Sequence, residues 1–88
     1  MEIEGLPVID VDEGEEITVA VRADDLREGD TEDPKYHPIA IALRRQADVD
    51  DARVTNKETL VRRGKRWFRY DAPDKRRFKE LQKTLADA

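Results

Sequence analysis

The segment TLVRRGKRWFRY, residues 59–70, constrains the fold most strongly, because it predicts a β-hairpin. Gly64-Lys65 suits a two-residue turn with glycine in the first central position, where a positive φ is needed. This turn sets a register in which Arg63 faces Arg66, and directly opposed residues share a face of the sheet. The chain therefore contains an antiparallel sheet against which its other elements must pack.

The two faces of this predicted hairpin differ in character. The face that we assign to the core carries Val61, Phe68 and Tyr70. The opposite face carries Leu60, Arg62, Trp67 and Arg69. Two interpretations of Trp67 stay open at this point. Either it offers a stacking platform between arginines, or it is buried beneath their aliphatic stems.

Two helices are predicted to pack on the sheet. HPIAIALRR (37–45) places Pro38 at a first helical position, and Ile39, Leu43 and Ala47 fall on one face of a helix of about ten residues. Residues 71–88 predict a second helix, which Asp71 or Asp74 caps. Its narrow apolar stripe consists of Phe78, Leu81 and Leu85.

Further strands are predicted at ITVAVR (17–22), where apolar and polar residues alternate, and at ARVT (52–55). The acidic residues 1–16 are interpreted as an N-terminal arm or edge strand, since Gly5, Pro7 and Gly14 interrupt them. The expected fold is α+β, a single domain over residues 17–88. It has a small antiparallel sheet of three to four strands with two helices packed on it.

The composition excludes several classes of chemistry. A chain of 88 residues without cysteine or serine cannot form a disulfide, a thiolate metal site or a serine catalytic triad. No apolar run approaches the ~20 residues that a membrane span requires. We therefore expect a non-enzymatic protein of the cytoplasm, without membrane attachment and without a cofactor or metal.

His37 is the sole histidine of the chain and the first candidate for chemistry. It lacks a second nitrogen or sulfur ligand for a metal and has no evident catalytic partner. We therefore interpret it as a residue that caps the helix beginning at Pro38.

Charge is divided unequally along the chain. Residues 1–51 carry 16 acidic and 5 basic residues, a net of -11, whereas residues 52–88 carry 5 and 12, a net of +7. Such asymmetry favours an interaction surface, although two halves that neutralise one another would explain it equally well. Two surfaces follow from this division.

The first is an acidic surface that we expect to bind a basic partner in place of nucleic acid. Its candidate residues are Asp10, Asp12, Glu13, Glu15, Glu16, Asp30, Glu32 and Asp33. Neither acidic cluster has the glycine that a calcium-binding EF-hand loop needs at its sixth position. The alternative is that both clusters are solvated loops.

The second is a basic surface on the hairpin and the last helix, which predicts direct binding of DNA or RNA. Its candidate residues are Arg62, Arg63, Lys65, Arg66, Trp67, Arg69, Lys75, Arg76 and Lys79.

ADDLREGD (23–30) followed by HPIAIALRR (37–45) resembles a signature of small uncharacterised phage and prophage proteins. The resemblance covers roughly residues 17–50, and many of those proteins have cysteine where this chain has His37. It implies a setting in mobile genetic elements rather than an activity. By analogy with anti-CRISPR proteins, we expect an inhibitor that binds a host complex such as a CRISPR effector, as a monomer or homodimer. The alternative is a DNA- or RNA-binding accessory protein that uses the basic half.

Overall fold

The computed structural model describes residues 2–11, 17 and 19–86, with the backbone alone at residues 75, 85 and 86. Within these residues it has five strands and three helices. The elements are β1 (Glu2–Ile3), β2 (Leu6–Asp10), α1 (Ala23–Glu28), α2 (Pro38–Arg44), β3 (Asp51–Val54), β4 (Glu58–Arg63), β5 (Arg66–Asp71) and α3 (Lys75–Ala86). The α+β class is confirmed.

The strands form one mixed sheet in the order β1-β2-β5-β4-β3. Pairing is antiparallel except between β2 and β5, which run parallel with Val8 opposite Trp67. The predicted sheet of three to four antiparallel strands is therefore too small, and its all-antiparallel character is wrong at β2. The parallel pair joins segments almost 60 residues apart in the chain, which no local pattern signals.

The predicted hairpin is confirmed in its register as well as its position. Arg63 lies opposite Arg66 and Val61 opposite Phe68, and Gly64 has a φ of 65° in the turn. Of the face assigned to the core, Val61 is fully buried and Tyr70 packs against the core. Phe68 is only half-buried, and the Arg63 guanidinium lies 5.4 Å from its ring centroid.

Helix α2 covers that face. The core cluster combines residues of α2 with residues of the sheet and of the segment before β3: Ile39, Ala40, Leu43, Val49, Ala52, Val54 and Val61. The predicted start of the helix is confirmed, because the backbone N–H of Ile39 donates to Nδ1 of His37 at 3.1 Å and Pro38 follows the cap. The predicted length is wrong: the helix ends at Arg44, and Ala47 is exposed outside it. Beyond the end of the helix, Val49 and not Ala47 supplies the buried core side chain.

The sheet curls so that its opposite face is also covered. Glu4, in the turn between β1 and β2, forms an ion pair with Arg53 on β3, although β1 and β3 are the outermost strands of the sheet. Leu60 and Trp67 point into this curl and are 5% and 0% exposed. The domain therefore buries apolar side chains on both faces of the hairpin.

The segment before α1 differs from its prediction. Of residues 17–22, all but Thr18 are described, and none of the described ones lies in a strand. Ile17, Val19 and Val21 nevertheless pack against the core, so the alternating pattern identified the buried side chains but not their backbone partners. The chain instead enters α1, where the Asp25 carboxylate accepts a hydrogen bond at 2.8 Å from the Arg22 backbone N–H.

Asp25 also joins α1 to the end of α2. Its side chain is 1% exposed and forms an ion pair with Arg45. Gly29 ends α1 where the chain passes close to Pro38: a Cβ at this position would lie 2.8 Å from the proline Cγ. The small residue and the buried ion pair together fix the loop that follows, residues 29–36.

Candidate functional site

Residues 29–36 form a compact acidic loop that carries three of the predicted site residues, Asp30, Glu32 and Asp33. The Asp30 side chain accepts a hydrogen bond from the Glu32 N–H at 2.9 Å, and the Asp33 side chain accepts one from the Lys35 N–H at 3.1 Å. The Asp30 N–H donates to the Tyr36 carbonyl at 2.8 Å and closes the loop. Aspartates therefore shape the backbone of the loop while they supply its charge.

The acidic loop is attached to one end of the sheet. The Val54 N–H donates to the Pro34 carbonyl at 2.9 Å, which joins the loop to the last residue of β3. Asp30 and Glu32 are exposed, Asp33 is half-buried, and none of the three forms an ion pair with another residue that the structure describes. The loop therefore carries three carboxylates without an ion pair against one lysine, Lys35, and its net charge is negative.

Asp10 lies at the same end of the sheet, because β2 runs parallel to β5 and ends beside it. Unlike the loop residues it is paired, with its carboxylate 2.8 Å from Nε of Arg69. The remaining residues of the predicted acidic surface, Asp12, Glu13, Glu15 and Glu16, lie outside the described residues.

The basic hairpin tip lies at the other end of the sheet and is partly neutralised. Arg63 pairs with Asp48 at 3.2 Å and donates to the Tyr70 hydroxyl at 2.9 Å, a hydrogen bond that raises the pKa of the guanidinium. Arg62 donates to the Gly64 carbonyl at 3.0 Å. Of the hairpin candidates, Lys65 and Arg66 are exposed and have no ion pair within the described part of the chain.

Trp67 does not form a stacking platform. Its side chain is fully buried, and the Arg53 guanidinium lies over the ring, 5.1 Å from the ring centroid. Arg69, on the same face, pairs with Asp10 and approaches Glu58 at 3.7 Å. Of the two interpretations of Trp67, the one in which the ring is buried and covered by arginine is therefore correct, and the one in which it offers a stacking platform is not.

The last helix carries the other basic candidates. Asp74 caps α3, since its carboxylate accepts from the Arg76 N–H at 2.9 Å. Arg76 and Lys79 are exposed and unpaired among the described residues, and the side chain of Lys75 lies outside the description. These cations belong to a different part of the fold from the hairpin tip.

A cleft of about 270 Å³ lies between α3, the acidic loop and the β3–β4 turn. His37 lines it together with Thr31, Asn56, Phe78, Lys79 and Gln82. The histidine is 8% exposed, its ring centroid is 5.2 Å from that of Phe78, and burial lowers its pKa below the ordinary value of 6.5. Sequence reasoning missed this cleft, because its residues are spread over 50 positions without a shared motif.

The described residues contain no group of three or more histidine, cysteine or carboxylate side chains that could hold a metal ion. No helix in these parts of the chain has the length and apolar character to cross a membrane.

Comparisons of the chain with models of protein families, with curated proteins and with solved structures find no match. The resemblance to phage and prophage proteins therefore stays a prediction.

Proposed function

We propose that the protein is a non-enzymatic inhibitor that binds a nucleic-acid-handling complex and occupies the channel meant for DNA. The acidic loop is the contact surface, and its carboxylates take the place of backbone phosphates. A CRISPR effector is a partner of this kind, in keeping with the resemblance to phage proteins.

The observation that carries the proposal is the clustering of three carboxylates without an ion pair, Asp30, Glu32 and Asp33, within four residues of the acidic loop. Asp24, Asp25 and Asp48 each pair with an arginine of the chain itself. The loop carboxylates have no such partner among the described residues, so their charge is available to an external cation. Carboxylates without an ion pair steer a protein towards a positively charged channel and suppress its association with negatively charged partners.

The hydrogen bonds of the loop favour the same conclusion. A loop whose aspartates already hold its turns loses little conformational entropy when it binds. Because Asp30 and Asp33 each bond a backbone N–H two residues ahead, their side chains cannot fold away from the surface without breaking the turns. The charge is thus presented in a defined arrangement.

The test is the triple variant Asp30→Asn, Glu32→Gln, Asp33→Asn. Asparagine keeps the side-chain oxygen that accepts from the backbone, so the turns persist while three charges are removed. We expect affinity for the complex to fall about 10- to 100-fold, since each lost charge pair at an interface rim contributes up to about 1 kcal/mol. Inhibition of DNA binding by the complex is the readout.

A matched control removes the same charge elsewhere. Glu2, Asp24 and Glu80 are exposed and lie outside the loop, and changing them to their amides shifts the net charge equally. This control variant should inhibit DNA binding by the complex as strongly as the unmodified protein does. Undiminished inhibition by the loop variant would contradict the proposal, as would equal losses in both variants.

A second candidate function is direct binding of DNA or RNA through the exposed cations. The observation that favours it is that five basic side chains of the hairpin tip and α3 are exposed and form no ion pair among the described residues: Lys65, Arg66, Arg76, Arg77 and Lys79. The buried Trp67 removes base stacking from this candidate, which leaves contacts to phosphate alone.

Filter binding at about 50 and 200 mM salt tests this candidate. Five phosphate contacts would release enough counterions to weaken binding about 500-fold over that range. Absence of binding at the lower salt concentration would eliminate it.

A further inference from the structure

We propose that the cleft beside His37 binds a small organic carboxylate with an apolar body. The cleft measures about 270 Å³, just below the ~300–1,000 Å³ of typical small-molecule sites. It therefore suits a ligand the size of a single substituted ring. The cleft shares Thr31 with the acidic loop and Lys79 with the exposed cations, but binding of a small ligand there does not depend on the proposed inhibitory function.

His37 supplies a hydrogen-bond donor of fixed tautomer. Because Nδ1 accepts from the Ile39 N–H, the proton of the neutral ring is on Nε2. Nε2 has no hydrogen-bond partner among the described residues, and it is not one of their buried unpartnered atoms, so solvent in the cleft reaches it. A ligand oxygen that enters the cleft can replace water as its acceptor.

Protonation of His37 is disfavoured for two reasons. Burial lowers its pKa, and a proton on Nδ1 would break the helix cap. The imidazole is therefore a neutral donor near pH 7 and not a second cation.

Lys79 sets the charge of the ligand. It is the one charged side chain among those that line the cleft, and it forms no ion pair within the described residues. The other polar groups of the lining, on Thr31, Thr55, Asn56 and Gln82, are neutral. The Thr55 hydroxyl is bonded within the β3–β4 turn, and the other three side chains have no hydrogen bond among the described residues. One cation and several neutral donors match a monoanion better than a doubly charged phosphate.

The apolar wall selects the body of the ligand. Phe78 lies beside His37 with an angle of 37° between the ring planes, and Pro73 extends the wall. A ring can pack on this surface while its carboxylate reaches His37 and Lys79.

The experiment is an NMR titration of the full chain, labelled with ¹⁵N, with benzoate, benzamide and inorganic phosphate near pH 7. Benzoate should bind saturably, with a Kd on the order of 1 mM for about nine non-hydrogen atoms. Shifts should centre on the amides of Thr31, Ile39, Asn56 and Lys79. Benzamide, which has the same shape without the charge, should bind more weakly, and phosphate should not compete with benzoate.

Two variants and one control locate the binding. Lys79→Gln should weaken benzoate about three- to fivefold and leave benzamide unchanged, whereas Lys83→Gln, one turn further along α3, should change neither. His37→Asn keeps a favourable N-cap and should weaken both ligands about three- to tenfold. Tighter binding of phosphate, shifts spread along α3, or no saturation by benzoate would each overturn the assignment.

Discussion

Trp67→Ala distinguishes a buried tryptophan from a contact surface. The side chain is 0% exposed, and the Arg53 guanidinium lies 5.1 Å from its ring centroid. Replacing a buried tryptophan with alanine costs about 3–5 kcal/mol, and the lost cation–π contact adds to that figure. Since domains of this size have only about 5–15 kcal/mol of stability, the variant should lie close to its unfolding limit.

Urea denaturation followed by circular dichroism measures the loss in the free energy of unfolding. In thermal unfolding, the melting temperature should fall by about 12 °C or more. Trp67→Phe keeps an aromatic ring beneath Arg53 and should lose much less stability. Tyr36→Ala is the surface control, because Tyr36 is 57% exposed. An unchanged melting temperature for Trp67→Ala, with loss of partner binding, would refute the reasoning.

Three further predictions concern the core, the cap and the loop. Leu43→Ala should destabilise the domain by about 2–5 kcal/mol in the same urea assay, because Leu43 is fully buried under the sheet; a loss below about 1 kcal/mol would contradict its place in the core. Gly29→Ala should cost about 1–3 kcal/mol, because the new Cβ would lie 2.7 Å from the Asp25 carbonyl oxygen, and full stability would show that the loop can shift. Burial lowers the pKa of His37, so below its ordinary value of 6.5 the unfolded chain binds more protons than the folded one. The stability of the unmodified protein should thus fall as pH drops from about 6.5 through the lowered pKa, and His37→Asn, which cannot titrate, should show a smaller fall; identical pH profiles would contradict the shift.

Local signals predicted the parts of the fold whose determinants are close in sequence. Gly64 sets the hairpin register through its own φ, and His37-Pro38 marks a helix start through a bond two residues long. The parallel pairing of β2 with β5 and the curl closed by Glu4 and Arg53 depend on contacts across 49 or more residues. No window of the sequence contains both partners, so the burial of Trp67 could not be decided from it.

The candidate site, too, was predictable from the sequence only where its residues lie close together in the chain. The acidic loop was visible as a cluster of carboxylates, but its lack of ion pairs became apparent only beside the pairs that Asp24 and Asp25 make. The predicted basic surface is two separate regions, because the hairpin tip lies at the opposite end of the sheet from the start of α3. The cleft needed the tertiary structure, since Thr31, Asn56 and Lys79 meet only when α3 packs beside the loop.

The most direct test of the inhibitory function is a competition measurement on a partner complex captured from host lysate. Fluorescently labelled DNA is bound to the complex, and the protein is added while anisotropy is followed. We expect complete release of DNA at saturating protein, with a midpoint about 10- to 100-fold higher for the Asp30→Asn, Glu32→Gln, Asp33→Asn variant. A ternary complex that retains its DNA at saturation would contradict it.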